Sequence, residues 1–443
     1  MRFFIKNYGC QMNSYDSQRM VDILMCAGHE IAYSPENADI IVLNTCSIRE
    51  KVDEKIFSDL GRIRTMRKKS ANDFIIVVAG CMAQTRSADI LRRAPYVDAI
   101  LYPHNIHQLA EIIDEIVKNK PLDVIISTTA DIGGKFPQSS DMLFKRGVSE
   151  FITIQEGCNN FCSYCVVPRA RGREFSRSVF DVSMEIKNLV SLGVKEITLL
   201  GQNVNSYKGV GLDGKQCSFS RLLFELAANI SELKRLRYMT SNPKDVDLDI
   251  AVAHKEIEIL MPSLHLPVQS GSDSVLKKMN RRYTVGEYMR RVEMLREHRP
   301  DLAISSDFIV GFPGESDADF QQTLELVKNI GYAQAYSFKY NPREGTAAAQ
   351  MDNQIPEKIK SERLRVLQNL LDDQQSRFNQ NFIGQHVNVM FTKKGKHEKQ
   401  LTGRSEYSQA VSVNAADAVM IGDIAKVKIT EVVSHSLIGV AVP

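Results

Sequence analysis

The chain has no apolar run long enough to cross a bilayer. Its longest, Phe74 to Ala83, is ten residues, about half of the ~20 that a spanning helix needs. Met1 to Asn13 also lacks the apolar core of a signal peptide, so the expected compartment is the cytoplasm and no membrane partner is expected. Net charge is scarce: 56 Lys and Arg against 53 Asp and Glu leave +3, too small an excess for a surface that grips nucleic acid everywhere. Any polyanion must meet a local patch. Internal repeats and low-complexity tracts are missing, and so is an HExxH pair among the nine histidines,. With no secretion signal beside the eight cysteines, a disulfide framework is disfavoured and metal or redox chemistry is favoured.

The 443 residues amount to about three domains of ordinary size, and 43% hydrophobic with 25% charged residues is globular composition,. In residues 1–120, Arg2 to Tyr8, Asp39 to Asn44, Phe74 to Ala79 and Asp98 to Tyr102 read as strands,. Ser14 to Ala27 behind Asn13, Arg49 to Met66, and Asn105 to Lys118 read as helices,. Such alternation predicts a doubly wound parallel sheet. Residues 121–147 read as an exposed linker, since DIGGKFPQSSDMLFKRG from Asp131 to Gly147 has no sustained period,.

Residues 148–380 resume the alternation with six strands: Phe151 to Gln155, Glu196 to Leu200, Arg235 to Thr240, Ser263 to Val268, Ala303 to Val310 and Ala335 to Tyr340. Helices Val182 to Leu192, Phe219 to Asn229, Tyr283 to Glu297 and Ala318 to Ile330 separate them, and a charged helix trails from Pro356 to Asn381. This predicts a partial (βα)6 barrel with its chemistry at the strand C-terminal ends. Residues 381–443 hold five short Val-rich alternating runs, which predict a small antiparallel β-barrel,.

Cys158, Cys162 and Cys165 follow the first barrel strand in EGCNNFCSYC. Three thiolates at that spacing can hold one face of a cubane iron–sulfur cluster and leave its fourth iron open for a small molecule. The alternatives are a zinc site short of a ligand or buried structural cysteines, although no nearby histidine completes a zinc site,. Cys10, Cys46 and Cys81 each come directly after a predicted strand, in YGCQMN, LNTCSIRE and VAGCMAQ. Ligands of open α/β sheets collect beyond strand C-termini, so the three sulfurs are expected to converge on a shared metal centre. Cys26, on the apolar face of the first helix, and Cys217, in a polar loop after Gly214, read as structural or incidental.

The loop at 158–165, with Tyr164 before its last cysteine, resembles the signature of the radical S-adenosylmethionine enzymes. The resemblance implies that the open iron chelates S-adenosylmethionine, whose cleavage gives a 5′-deoxyadenosyl radical. Candidate cofactor-binding residues are then Tyr164, Gln202 and Asn203 in LLGQNVNS, Ser241 in TSNP, Gln269 with Ser270 in PVQSGSD, and Asp307 in SSDFIVGFPGE. Polar residues at strand ends also simply cap helices and turns.

Two three-cysteine sets followed by a small barrel resemble the methylthiotransferases over nearly the whole chain: an N-terminal methylthiotransferase domain, a radical S-adenosylmethionine domain and a TRAM barrel. GCQMN, GCNNFCSYCVVPRARGREFSR and LLGQNVNSY look most like the branch that modifies bacterial tRNA, with Ser178 where many members have proline. That departure bears on loop rigidity. The resemblance implies two [4Fe–4S] clusters, S-adenosylmethionine, and methylthio transfer to carbon 2 of N6-dimethylallyladenosine beside the anticodon. An electron donor such as a flavodoxin or ferredoxin is implied, and a monomer is the default. The alternatives are threonylcarbamoyladenosine or a ribosomal-protein aspartate as substrate, or a non-catalytic RNA-binding protein with a structural metal.

For RNA, Arg169, Arg171, Arg173 and Arg177 read as a phosphate-binding run against the single Glu174, and Lys393, Lys394 and Lys396, with Lys399 and Arg404, as a second patch,. Phe161, Tyr164 and Tyr207 are candidate stacking partners for a flipped purine, and His265 reads as a core residue,.

Overall fold

The computed structural model describes residues 1–442 except 48–49, 70–72, 120–123, 128–133, 137–143, 145 and 415–418. It forms two compact units, one of residues 1–145, 151–159 and 166–188, the other of 146–150, 160–165 and 189–443. The domains expected from the sequence therefore interleave: most of the first barrel strand and part of the segment after it group with the N-terminal unit, and the C-terminal barrel belongs to the second unit.

In the first unit six strands lie in the order Glu30–Ile31, Arg2–Asn7, Ile40–Thr45, Ile75–Gly80, Ala99–Leu101 and Ile125–Ser127, all paired in parallel. IIVLNT and IIVVAG are buried at every position, as continuous apolar runs must be when helices cover both faces. Ile41, Leu43, Ile76 and Val78 pack with Ile56, Leu60 and Ile63 on one face, and Ile40, Val42, Val77 and Leu101 with Met20, Leu24, Leu109 and Ile113 on the other. The doubly wound expectation is borne out, and strand order reverses between Arg2–Asn7 and Ile40–Thr45.

In this unit two helix starts differ. Helix Gln11–Cys26 starts a turn before the expected Ser14, with Cys10 at its N-cap. Asn13 lies inside it and donates to Asn44 Oδ1 and the Thr45 carbonyl at 3.1 and 2.7 Å. Leu109–Asn119 is preceded by a separate short turn, Pro103–Gln108. The expected start of the second helix at Arg49 lies outside the described residues, and the helix is seen over Glu50–Lys69. Where described, most of the expected linker is not exposed: Ile125–Ser127 is the sixth strand, while Lys135 and Phe136 are 0% and 4% exposed, with Phe136 stacked 6.1 Å from Phe175.

In the second unit, strands Arg235–Tyr238, Glu196–Leu200 and the opening of Ser149–Thr153 form one sheet, and Ser263–His265, Ala303–Val310 and Gln334–Lys339 another. A parallel bridge from Leu236 to Leu260 joins them. Six strands thus run in chain order, and among the described residues nothing pairs the last with the first, which makes the barrel partial. Strands His386–Lys394, Gln400–Ser405, Ala410–Asn414, Ile424–Val433 and Ser436–Ala441 form a closed barrel around Val389, Phe391, Val411, Val427 and Leu437; its pairs are antiparallel as expected, except that Ala410–Asn414 runs parallel to Ser436–Ala441. It is clamped to the N-terminal ends of the larger barrel's strands. Arg235 donates to the carbonyls of Arg404 and Asn388 at 2.8 and 2.7 Å, and Arg237 to those of Ser405 and Glu406 at 2.8 and 2.9 Å. That leaves the C-terminal strand ends for chemistry. Among the described residues no helix is long and apolar enough to cross a membrane.

Candidate functional site

Cys10, Cys46 and Cys81 follow strands Arg2–Asn7, Ile40–Thr45 and Ile75–Gly80, which flank the point where strand order reverses. This is where open α/β sheets bind ligands. Gly80 makes the approach possible: at φ +95° a Cβ there would collide with the Thr45 carbonyl oxygen. The Cys10 thiol is brought down to about 6 by a hydrogen bond with Cys46, against burial, with help from Arg171 and the backbone of Asn13 and Met12 at the helix start. Burial pushes the Cys81 thiol up, opposed by Arg171, whose Nε lies 3.3 Å from Cys81 Sγ. None of the eight cysteines is in a disulfide. A Cys10 thiol that interacts with both Cys46 and Cys81 and is itself shifted toward thiolate fits a cluster that takes cysteine thiolates. Among the described residues no His, Cys, Asp or Glu group is arranged to hold a single metal ion.

Arg171 was expected on the RNA-binding face, yet it is 2% exposed. Its two terminal nitrogens lie 2.6 Å from Glu156 and 2.7 Å from Asp16. Lys135, from the expected linker, completes the group at 2.7 Å from Asp16 and 2.8 Å from Glu156. Burial raises the Glu156 carboxyl, but Lys135 and Arg171 outweigh it and hold the group at about 2. Arg177 is likewise 2% exposed and bonds Glu185 and the Thr153 carbonyl at 2.6 and 2.9 Å. Two of the four arginines are thus internal counter-ions, and only Arg169 and Arg173 are exposed. Asp16 and Lys135 carried no motif, and Glu156, the first residue of EGCNNFCSYC, was given no role there. Their one signal was charge inside segments otherwise read as an apolar helix face, a linker and a strand end.

The second cysteine set divides between the units. In the first, the Cys158 N–H donates to the Gly172 carbonyl at 3.2 Å. In the second, the Cys165 N–H donates to Cys162 O at 2.9 Å, and Arg281 Nη1 lies 3.6 Å from Cys162 Sγ. Arg281 is fixed by the Pro267 carbonyl at 2.8 Å, so each cysteine set has a buried guanidinium directed at one of its sulfurs. Tyr164 packs edge-on against Phe312 at 6.4 Å, anchoring the loop to the core.

Of the other candidates, Asn203 donates to Asp245 at 2.8 Å, and Gln202 is half-buried. Ser241 is buried, and its hydroxyl has no hydrogen-bond partner among the described residues. Beside it Thr240 holds φ +73°, as does Gln269 at another strand end. Backbone strain of this kind persists at functional sites. Ser270 is buried, 3.5 Å from Thr323 Oγ1. Asp307 Oδ2 lies 3.4 Å from His265 Nε2, and Ser305 Oγ lies 3.0 Å from Nδ1 of the same ring. Tyr207 is 1% exposed and is unavailable for stacking, whereas Phe161 is 55% exposed. Lys393, Lys394, Lys396, Lys399 and Arg404 are all exposed on the small barrel. Cys26 is exposed at the end of its helix, and Cys217 is buried on strand Gln216–Ser218, the reverse of the expected settings.

Residues 2–102 match the family described as uncharacterized protein family UPF0004, 152–327 the radical SAM superfamily and 380–442 the TRAM domain. The tRNA-2-methylthio-N(6)-dimethylallyladenosine synthase of Bartonella bacilliformis is 48% identical over 99% of this chain and 96% of its own length. That of Bartonella tribocorum is 47% identical over the same shares. The chain belongs to the family of tRNA-2-methylthio-N(6)-dimethylallyladenosine synthases. The fold of this synthase family member is also that of solved radical S-adenosylmethionine proteins. The methyltransferase TsrM from Kitasatospora setae, with cobalamin and a [4Fe-4S] cluster bound, has a TM-score of 0.56 at 15% identity, over 79% of this chain and 74% of its own. OxsB, with aqua-cobalamin and S-adenosylmethionine bound, gives 0.54 at 11% identity, over 83% and 56%.

Proposed function

We propose that this chain places a methylthio group on carbon 2 of N6-dimethylallyladenosine in tRNA, giving 2-methylthio-N6-dimethylallyladenosine. It is a sulfur-group transferase of the radical S-adenosylmethionine type. The observation that carries the reading is the convergence of Cys10, Cys46 and Cys81 at the switch point of a sheet that precedes the 158–165 cysteine loop in the same chain. Carbon 2 of adenine bears a C–H bond that acid–base side chains do not break, so a cluster with S-adenosylmethionine supplies the radical chemistry.

The residues present divide the work. Cys158, Cys162 and Cys165 hold the cluster that binds S-adenosylmethionine, and Arg281 is directed at Cys162. Cys10, Cys46 and Cys81 hold a second cluster, with Arg171 directed at Cys81. Gln202, Asn203, Gln269 and Ser241, at strand ends, would bind S-adenosylmethionine. Exposed Arg169, Arg173, Lys393, Lys394 and Lys396 contact RNA phosphates. A cytoplasmic location, a flavodoxin- or ferredoxin-type electron donor and a monomeric state complete the reading.

Mass spectrometry of tRNA nucleosides from a deletion strain tests it. Loss of 2-methylthio-N6-dimethylallyladenosine, restored by this chain but not by its Cys10, Cys46, Cys81 triple-alanine variant, is expected. Restoration by the triple variant, or an altered threonylcarbamoyl derivative, overturns it.

A further inference from the structure

The second unit carries aromatic surface that the cluster and cofactor assignments leave unused. Along strand Gln334–Lys339 side chains alternate. Lys339 bonds Glu357 and Ser361 on the covering helix Glu357–Gln380, so Tyr336 and Phe338 point the other way, into the partial barrel. Register pairs Tyr336 with Asp307 and Phe338 with Ile309 on the neighbouring parallel strand, which puts these four side chains on one face. The His265 ring stands edge-on to Tyr336 at 6.4 Å, and its Nε2 meets Asp307. Tyr336 and Phe338 are 47% and 42% exposed, whereas Tyr332 and Tyr340 at either end of the strand are 1% and 3%. Two half-exposed aromatics side by side on an inward face offer a flat apolar surface to a planar ligand. The strand is the last of its sheet.

We propose that Tyr336 and Phe338, with the Asp307 carboxylate beside them, are the surface on which the N6-alkylated adenine of the RNA lies. This rests on the function proposed above. The chemistries match: a flat π system for the rings, an apolar branched tail for Phe338 and Ile309, and a single N6–H for Asp307, a pure acceptor when ionised. Asp307 repels phosphate or carboxylate, which removes the anionic ends of RNA and of S-adenosylmethionine as occupants. The adenine ring of S-adenosylmethionine remains the competitor that the test must separate.

The test measures binding of an anticodon stem-loop RNA carrying N6-dimethylallyladenosine, and of the same RNA with plain adenosine, to the whole protein loaded with its clusters. The Tyr336→Leu, Phe338→Leu double variant keeps apolar volume but removes both π faces. It is expected to lose about tenfold or more of the preference for the alkylated RNA, with affinity for S-adenosylmethionine retained. Phe224→Leu, at an exposed helical position, is the control and is expected to keep the preference. A double variant that keeps the preference overturns the assignment. Equal loss of S-adenosylmethionine affinity also overturns it and gives the face to the cofactor. Absence of any preference in the unaltered protein overturns the functional reading, and this surface with it.

Discussion

Arg171 satisfies two buried carboxylates and faces Cys81 with one side chain, so its loss leaves charge that Lys135 alone cannot match. Arg171→Met is expected to cost about 3–5 kcal/mol, the penalty of breaking a buried ion pair from one side, seen as unfolding at lower urea. Arg169→Ala, at an exposed position in the same helix, is expected within about 0.5 kcal/mol. Equal midpoints for the two variants would refute the network's role. His254 offers a test by pH. It is 0% exposed, shares a 2.7 Å hydrogen bond with Tyr238, and burial, reinforced by Arg299, depresses it to about 3. A histidine depressed in the folded state contributes stability that is present above its unfolded value near 6.5 and lost as pH falls toward the folded value. The slope is about 1.4 kcal/mol per pH unit below ~6.5. His254→Gln should flatten the decline in urea midpoint between pH 6.5 and 5, and an unchanged decline would show the ring is not buried neutral.

At the scale of elements, the strand-to-helix turns decide where thiols point. At Gly80 both a left-handed φ and the Thr45 carbonyl exclude a side chain, so Gly80→Ala must move the backbone that carries Cys81. Bound iron per chain is expected to fall toward that of the Cys10, Cys46, Cys81 triple-alanine variant. Gly61→Ala is the control: nothing lies within 4 Å of its Cβ in helix Glu50–Lys69, and alanine there should stabilise by about 0.5–1 kcal/mol. Full iron content in Gly80→Ala would mean that the turn tolerates the shift. The same scale explains which sequence readings held. Helix Phe219–Asn229 and strands Glu196–Leu200 and Ala303–Val310 have the boundaries that periodicity predicts, because one face is apolar and the ends are marked by Ser218, Gly201 and Gly311. Helix Gln11–Cys26 does not, because its inner face buries Asn13, Asp16, Arg19 and Asp22, which periodicity scores as solvent.

For the whole molecule, a net charge of +3 still leaves exposed cations in two places, around Arg169 and Arg173 and on the small barrel at Lys393, Lys394 and Lys396. Charge reversal at the three lysines is expected to weaken tRNA binding more at low salt than at high salt, and Arg169→Ala to lower the salt slope by about one. Loss independent of salt would argue against phosphate contact. The buried pair Arg171 and Arg177 should change no salt slope.

The sequence by itself determined the chemistry: three cysteines at tight spacing, three more after successive strands, and the order sheet, partial barrel, small barrel. Those are local patterns, since strand period and turn residues fix where the chain reverses and therefore where a thiol after a strand must lie. Only the tertiary structure decided which charges face solvent. Arg169 and Arg171 stand two residues apart in one short helix, one exposed and one buried, and the difference is whether carboxylates distant in sequence, Asp16 among them, come within bonding distance. It also decided that Lys135 is internal, and that Tyr336 and Phe338 are half-exposed on an inward face, because burial depends on which elements the chain brings to cover each side chain.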